Sequence, residues 1–349
     1  MSRHDLLGLL GSLEQFAEVR LLTVENGIER GNRILQFRTA ALTFDVHLDR
    51  GFDIGRCDFH GLPVGFRGQA GFPPPGVVAD RTGLEPLRAW GGGLVMTGGL
   101  DHTFGPTTSG ASHFRYPHRR EQMHPMHGRV WLTPAELRGY GREWRGDELL
   151  LYAEGDVRQA SAFGENLVLR RRIQVEAGSG AMYLADTVTN EGPHVTSHMY
   201  LYHVNLGAPL AWPGTTLDLP FPAGTPVAST PDVDYRTLPD PVPDESERVF
   251  HHRPGADGGE VTVSVRNDRL GLRLDATFSS HEFPHFLIWQ GVLPGGYGLG
   301  LEPATNGPFG RQAAEESGEL RFLEPGESRT YNLRLQFALT SPEKKGAGD

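Results

Sequence analysis

The chain has 349 residues, 46 of them glycine and 26 proline. At roughly 1 to 3 kcal/mol for each such residue inside a helix, this excludes a coiled coil, a helical bundle and a long-helix solenoid. A hydrophobic fraction of 38% is in the globular range, and 43 acidic against 33 basic side chains give a formal charge of -10 with no dense Lys/Arg block, which argues against nucleic acid and membrane surfaces as partners.

In chain order, the opening MSRHDLLGLLGSLEQF reads as a short amphipathic helix. Its apolar run is broken by Gly8 and Gly11, Glu14 follows, and no small-residue cleavage site appears, so it does not resemble a signal peptide. No apolar stretch approaches the roughly 18 residues that cross a bilayer, and the expected location is the cytoplasm. Period two then dominates. In ALTFDVHL, Phe44, Val46 and Leu48 share one face, and Thr43, Asp45 and His47 the other. Similar runs are expected as strands at 149–157, 167–175, 182–189, 195–204, 261–265, 270–276, 297–301 and 330–337. Gly, Pro, Asp or Asn marks most gaps between them. The pattern predicts an all-β antiparallel sandwich in one domain over 1–349, with its core at about 20–340.

Two stretches break the rhythm. Residues 60–128 are rich in Gly, Pro and His and are expected to form ordered loops over a cleft. Residues 206–256, rich in Pro and Asp, read as a surface excursion. The single cysteine, Cys57, forbids an intrachain disulfide and a CxxC site, and without a partner base it reads as a buried bystander.

Several positions are of types that carry chemistry. His203 ends the apolar row of VTSHMYLYHVN, with Asn205 next on the same face. It can move a proton near neutral pH or serve as a hydrogen-bonded core histidine. In GGYGLGLEP, Glu302 shares a face with Gly298 and Gly300, which leaves room for a flat ligand beside it, and the competing reading is a salt-bridged strand end. Arg50 closes the row Phe44, Val46, Leu48 and suits ligand hydroxyls, with Asp49 and Asp53 as competing partners. His113, His118, His124 and His127 invite a metal, but their spacing does not match HExxH. His127, followed by Gly128 and Arg129, is expected at a loop-to-strand junction lining a pocket. Trp90, Trp131, Trp289, Tyr200 and Tyr202 serve equally as sugar platforms or core fillers, and Gln290 beside Trp289 can bond a hydroxyl. No Walker A loop, GxSxG elbow or helix-opening GxGxxG is present.

The elements LDRGFDIG, WGGGLVMTGGLDHTFGP, HPMHGRV, LYHVNLG and LEPATN, in this order, resemble the bacterial branch of the galactose mutarotase-like superfamily, the aldose 1-epimerase family proteins long filed as a domain of unknown function. The resemblance covers residues 20 to 340 or so and implies a large antiparallel supersandwich. It implies that His203 is the general acid on the ring oxygen and Glu302 the general base on the anomeric hydroxyl. His127 and Arg50 would bind substrate, and Arg129, Asp101, His102, Asn205, Gln290 and Trp289 complete the expected sugar-binding set. Where mutarotases have His-Gly-Gly this chain has HGR, and TGGLDH has no clear counterpart, which leaves the sugar open between neutral and anionic aldoses. The implied function is carbohydrate mutarotation with no cofactor or metal. The alternatives are a non-catalytic sugar-binding domain and a metal-dependent sugar isomerase built on the His113–His127 cluster.

Overall fold

A computed structural model describes residues 2–77, 83–111, 120–255 and 258–340. Two large antiparallel sheets make up the molecule. In spatial order the first runs Glu18–Thr23, Arg33–Arg38, Leu42–His47, Asp53–Phe59, Val95–Leu100, Thr196–Leu206, Gly298–Ala304, His285–Gly291, Glu247–His252 and Thr225–Pro226. Two short strands pair off this path, Leu62–Pro63 with Asp53–Phe59 and Arg321–Leu323 with the start of Thr196–Leu206. The second runs Thr216–Asp218, Glu260–Asn267, Leu272–Ser279, Ser328–Leu339, Ala181–Asn190, Asn166–Glu176, Glu148–Ala160 and Ala135–Arg145. The all-β sandwich read from the alternation is therefore present, and each run expected from that alternation overlaps one of these elements.

The alternation sets what each face meets. Phe37, Phe44, Val204, Leu299 and Leu301 of the first sheet pack on Leu151, Leu169, Ile173 and Leu184 of the second in one apolar cluster. A polar knot ties the sheets at the centre of this cluster. Arg171, fully buried, donates to Asp186 at 2.7 Å beside it, and to Asp53 and Thr97 of the opposite sheet, both at 2.7 Å. Tyr200 and Tyr202 donate to the same Asp186, so these tyrosines point inward and their neighbours Leu201, His203 and Asn205 point outward.

Four expectations are revised. The opening helix is only Arg3–Leu9, capped by Ser2, and a separate turn at Leu13–Gln15 follows the break at Gly11. Residues 60–128 hold more than loops: the central strand Val95–Leu100 and the two-stranded sheet of Thr107–Gly110 with Glu121–His124 lie there. The excursion at 206–256 likewise yields Glu247–His252. The residues after His127 form a tight turn, Val130–Leu132, where a strand was expected. Among the described residues no helix is long and apolar enough to cross a membrane. Cys57 is buried inside Asp53–Phe59, and burial pushes its thiol far up, as suits a bystander.

Candidate active site

The site lies on the outward face of the first sheet. Register builds it: Leu201 pairs with Ala304 and Val204 with Leu301, which sets His203 opposite Glu302 on the neighbouring strand. Their side chains touch, Nε2 to Oε1, at 3.1 Å. The acid and base that the resemblance implies are thus in direct contact, with no gap between them.

Gly300 makes the contact possible. A Cβ there would sit 2.9 Å from His203 Cε1 and 3.1 Å from Glu302 Oε1, closer than real Cβ atoms pack. The space beside Glu302 that the glycines were expected to leave for a ligand is filled instead, by His203 at Gly300 and by the Phe66 ring at Gly298.

Aromatic rings wall the pair. Trp289 meets His203 edge-on with centroids 5.9 Å apart, and its Nε1 donates to Glu247 at 2.9 Å, which fixes the indole. Trp90 lies 6.5 Å from His203 and 5.8 Å from Trp289, with Phe66 stacked on it at 5.2 Å. Phe66 reaches this position because its N–H donates to Asn205 O, binding the loop to the sheet. His127 adds a fourth wall, edge-on to His203 at 5.3 Å. Its backbone is pinned twice, His127 N–H to Phe104 O at 2.7 Å and Gly99 N–H to His127 O at 3.0 Å, and it holds a left-handed φ of 56°. Gly128 follows with φ 75°, and a Cβ there would run into Gly99 O, so the Gly of HGR is required for that approach. The His127 Nδ1 is buried with no partner.

Burial governs the charge state. Glu302, 3% exposed, has its carboxyl pushed up to about 8, first by desolvation and then by the charge of Glu247. His203 is driven well below the ordinary imidazole value, first by desolvation and then by repulsion from His127, with the Asn205 side chain opposing weakly. Glu302 meets no Arg or Lys among the described residues, so the salt-bridged strand end that competed for it is not formed. At neutral pH the touching pair holds one proton, which makes it net neutral wherever that proton resides.

The other expected residues divide. Asn205 lies on the same outward face, fully buried, donating from Nδ2 to the His203 backbone carbonyl at 2.9 Å, so it braces the strand at His203. Arg50 is used on the chain itself: Nη1 donates to Pro73 O and Nη2 to Ala89 O, both at 2.7 Å. The cavity it lines with His47, Phe72, Met96 and Trp131 has a volume of about 10 Å³, room for one water and no sugar. Asp101 accepts from Gln159 at 2.5 Å, Arg129 at 3.2 Å and His124 at 2.9 Å. Both its oxygens are therefore occupied, and Arg129 is committed to it and to Met123 O. His102 is buried with Nε2 on Gly105 O at 2.7 Å. Gln290 points to the opposite face from Trp289, donating to Tyr235 O at 2.8 Å, because side chains alternate along a strand. Tyr200 and Tyr202 are core residues, and Trp131 packs with Met96 and Ala89.

His113 and His118 lie outside the described residues. His124 and His127 face different partners, and among the described residues no group of three or more His, Cys, Asp or Glu could hold a metal. Phe66 and Glu247, which shape the pair's surroundings, carry no sequence signal beyond residue type.

Residues 29–337 match the family model described as a domain of unknown function, DUF4432. No curated protein matches the sequence. The fold is similar to that of a candidate aldose 1-epimerase of Klebsiella pneumoniae subsp. pneumoniae MGH 78578, with a TM-score of 0.82 at 20% identity over 93% of this chain and 84% of that one. A galactose mutarotase-like protein of Clostridium acetobutylicum is similar at TM-score 0.62 and 12% identity, over 93% of this chain and 100% of that one. Galactose 1-epimerase of Lactobacillus acidophilus NCFM is similar at 0.59 and 13%, over 93% and 100%. The chain belongs to the DUF4432 family and has the all-β sandwich fold of the galactose mutarotase-like proteins.

Proposed function

We propose that the protein is a carbohydrate mutarotase that interconverts the α and β anomers of an aldose on the His203–Glu302 pair. The observation that carries this is the 3.1 Å contact of two buried titratable groups inside an aromatic enclosure. Ring opening removes a proton from O1 and delivers one to O5, while the C1–O5 bond breaks and C1=O1 forms. One partner gives a proton and the other takes one, so the pair ends the step still holding a single proton. Rotation about C1–C2 and reclosure by the reverse transfers yield the other anomer.

Either member can begin as the acid. Burial favours a protonated Glu302 with His203 as base, and transfer along their contact gives the imidazolium and carboxylate form with the same net charge. Trp289 and Trp90 offer faces for the C–H surface of a pyranose, and His127 is placed to bond a hydroxyl. No redox or covalent intermediate is required, since orientation and paired proton transfer supply the step.

Polarimetry of the purified chain on freshly dissolved aldoses, including uronates and other modified sugars, tests the reading. Acceleration of at least one sugar over its spontaneous rate is expected. If every sugar relaxes at its uncatalysed rate while some bind saturably, the fold is serving as a binding domain instead.

A further inference from the structure

A second cluster of titratable and nucleophilic groups lies outside the His203–Glu302 pair. In the sheet of Thr107–Gly110 and Glu121–His124, Thr107 pairs with His124 and Ser109 with Gln122. That register puts Ser109, Gln122 and His124 on one face. Ser109 Oγ lies 2.9 Å from His124 Nε2, and His124 Nδ1 lies 2.9 Å from Asp101 Oδ2.

The carboxylate decides the tautomer. Burial raises the Asp101 pKa, but the His124 hydrogen bond, the Arg129 charge and Gln159 outweigh it and hold Asp101 ionised. An ionised Asp101 can only accept, so His124 must donate from Nδ1. In the neutral ring Nε2 has the lone pair, 2.9 Å from the Ser109 hydroxyl. The chain of serine to imidazole to buried carboxylate has the geometry that activates a hydroxyl for attack on a carbonyl. His124 is 1% exposed and fixed at both nitrogens, whereas Ser109 is half-buried. Gln122, opposite Ser109, has no hydrogen bond to its side-chain amide among the described residues, and its Oε1 is a buried orphan. Such an amide can turn its N–H toward a developing oxyanion.

We propose that Ser109, His124 and Asp101 form a second site that hydrolyses short-chain carboxylic esters, with Ser109 as nucleophile, His124 as general base and Asp101 as its positioning carboxylate. Ser109 Oγ bonds to the ester carbonyl carbon as its proton passes to His124 Nε2. The bond from carbonyl carbon to alkoxy oxygen then breaks, and His124 returns the proton to the leaving alcohol. Water adds to the acyl-serine, giving one proton to His124, and collapse frees the carboxylic acid and restores the Ser109 hydroxyl. The proposal does not rest on the mutarotase reading, whose pair lies on other strands.

Two measurements on the full chain test it. Diisopropyl fluorophosphate should phosphorylate wild type at Ser109 with loss of fluoride, located by peptide mass mapping, and should label His124→Gln far more slowly. Hydrolysis of p-nitrophenyl acetate should fall roughly a hundredfold or more in Ser109→Ala, a half-exposed hairpin change that leaves mutarotation intact. An unlabelled Ser109, equal labelling of the folded His124→Gln protein, or hydrolysis unchanged in Ser109→Ala overturns the assignment.

Discussion

Glu302→Gln should change how stability depends on pH, and the structure gives both the sign and the scale. The Glu302 carboxyl is raised from 4.5 to about 8 by burial and by Glu247. Between those values the unfolded chain has released a proton that the folded protein retains. The stability from this group is therefore complete below pH 4.5 and is lost as pH rises through about 8. At pH 7 the loss is 2.303RT for each pH unit above 4.5, or roughly 3 kcal/mol, taken as a ceiling because His203 at 3.1 Å shares the proton. Glutamine keeps the shape, stays neutral at every pH and can donate to His203 Nε2. Thermal or denaturant unfolding of both proteins across pH 4 to 9 reads the difference. The variant should gain several degrees of Tm over wild type near and above neutrality, and the two should converge in acid. The buried histidines away from Glu302 contribute a separate loss as pH falls, common to both proteins, so it cancels in the comparison. Parallel profiles through neutral pH would refute a buried, proton-holding Glu302.

Three further outcomes are expected. Catalysed mutarotation, corrected for the spontaneous rate, should decline as pH rises through about 8, where the pair loses its last proton and has no acid to offer; a catalysed rate still climbing well above that pH contradicts a shared proton. Gly300→Ala should cost about 1 to 3 kcal/mol of stability and most of the activity, since its Cβ displaces His203 and Glu302, and a fully active variant would mean that their contact is dispensable. Arg171→Met should destabilise by about 3 to 5 kcal/mol in denaturant titration, because it strands Asp53 and Asp186 as buried charges; a change within error would show that the knot does not tie the sheets.

The strands were legible because half-buried sheets write their faces into the chain as alternation, as in residues 42–47 and 196–206. Val95–Leu100 was not, since its residues are buried on both faces and two are glycines, so no polar partner marks the period. That His203 shares a face with Asn205, and Glu302 one with two glycines, was visible along single strands, but the contact of His203 with Glu302 was not, because register between distant strands leaves no local signal. Arg50, Asp101 and Arg129 have the right chemistry for a ligand, yet backbone carbonyls and one another satisfy them. The alternation that placed Trp289 on the outward face also turns Gln290 inward. The triad of Ser109, His124 and Asp101 spans two strands and a loop, with spacing that no linear motif describes.

Magnetisation-transfer NMR of α and β anomers at equilibrium reads the central step itself, exchange at C1, without coupling enzymes. With an aldose that the wild type accelerates, exchange should fall by about a hundredfold or more in His203→Gln and in Glu302→Gln, while the sugar still broadens or shifts on binding. Undiminished exchange in either folded variant would contradict a mechanism in which that pair moves the protons.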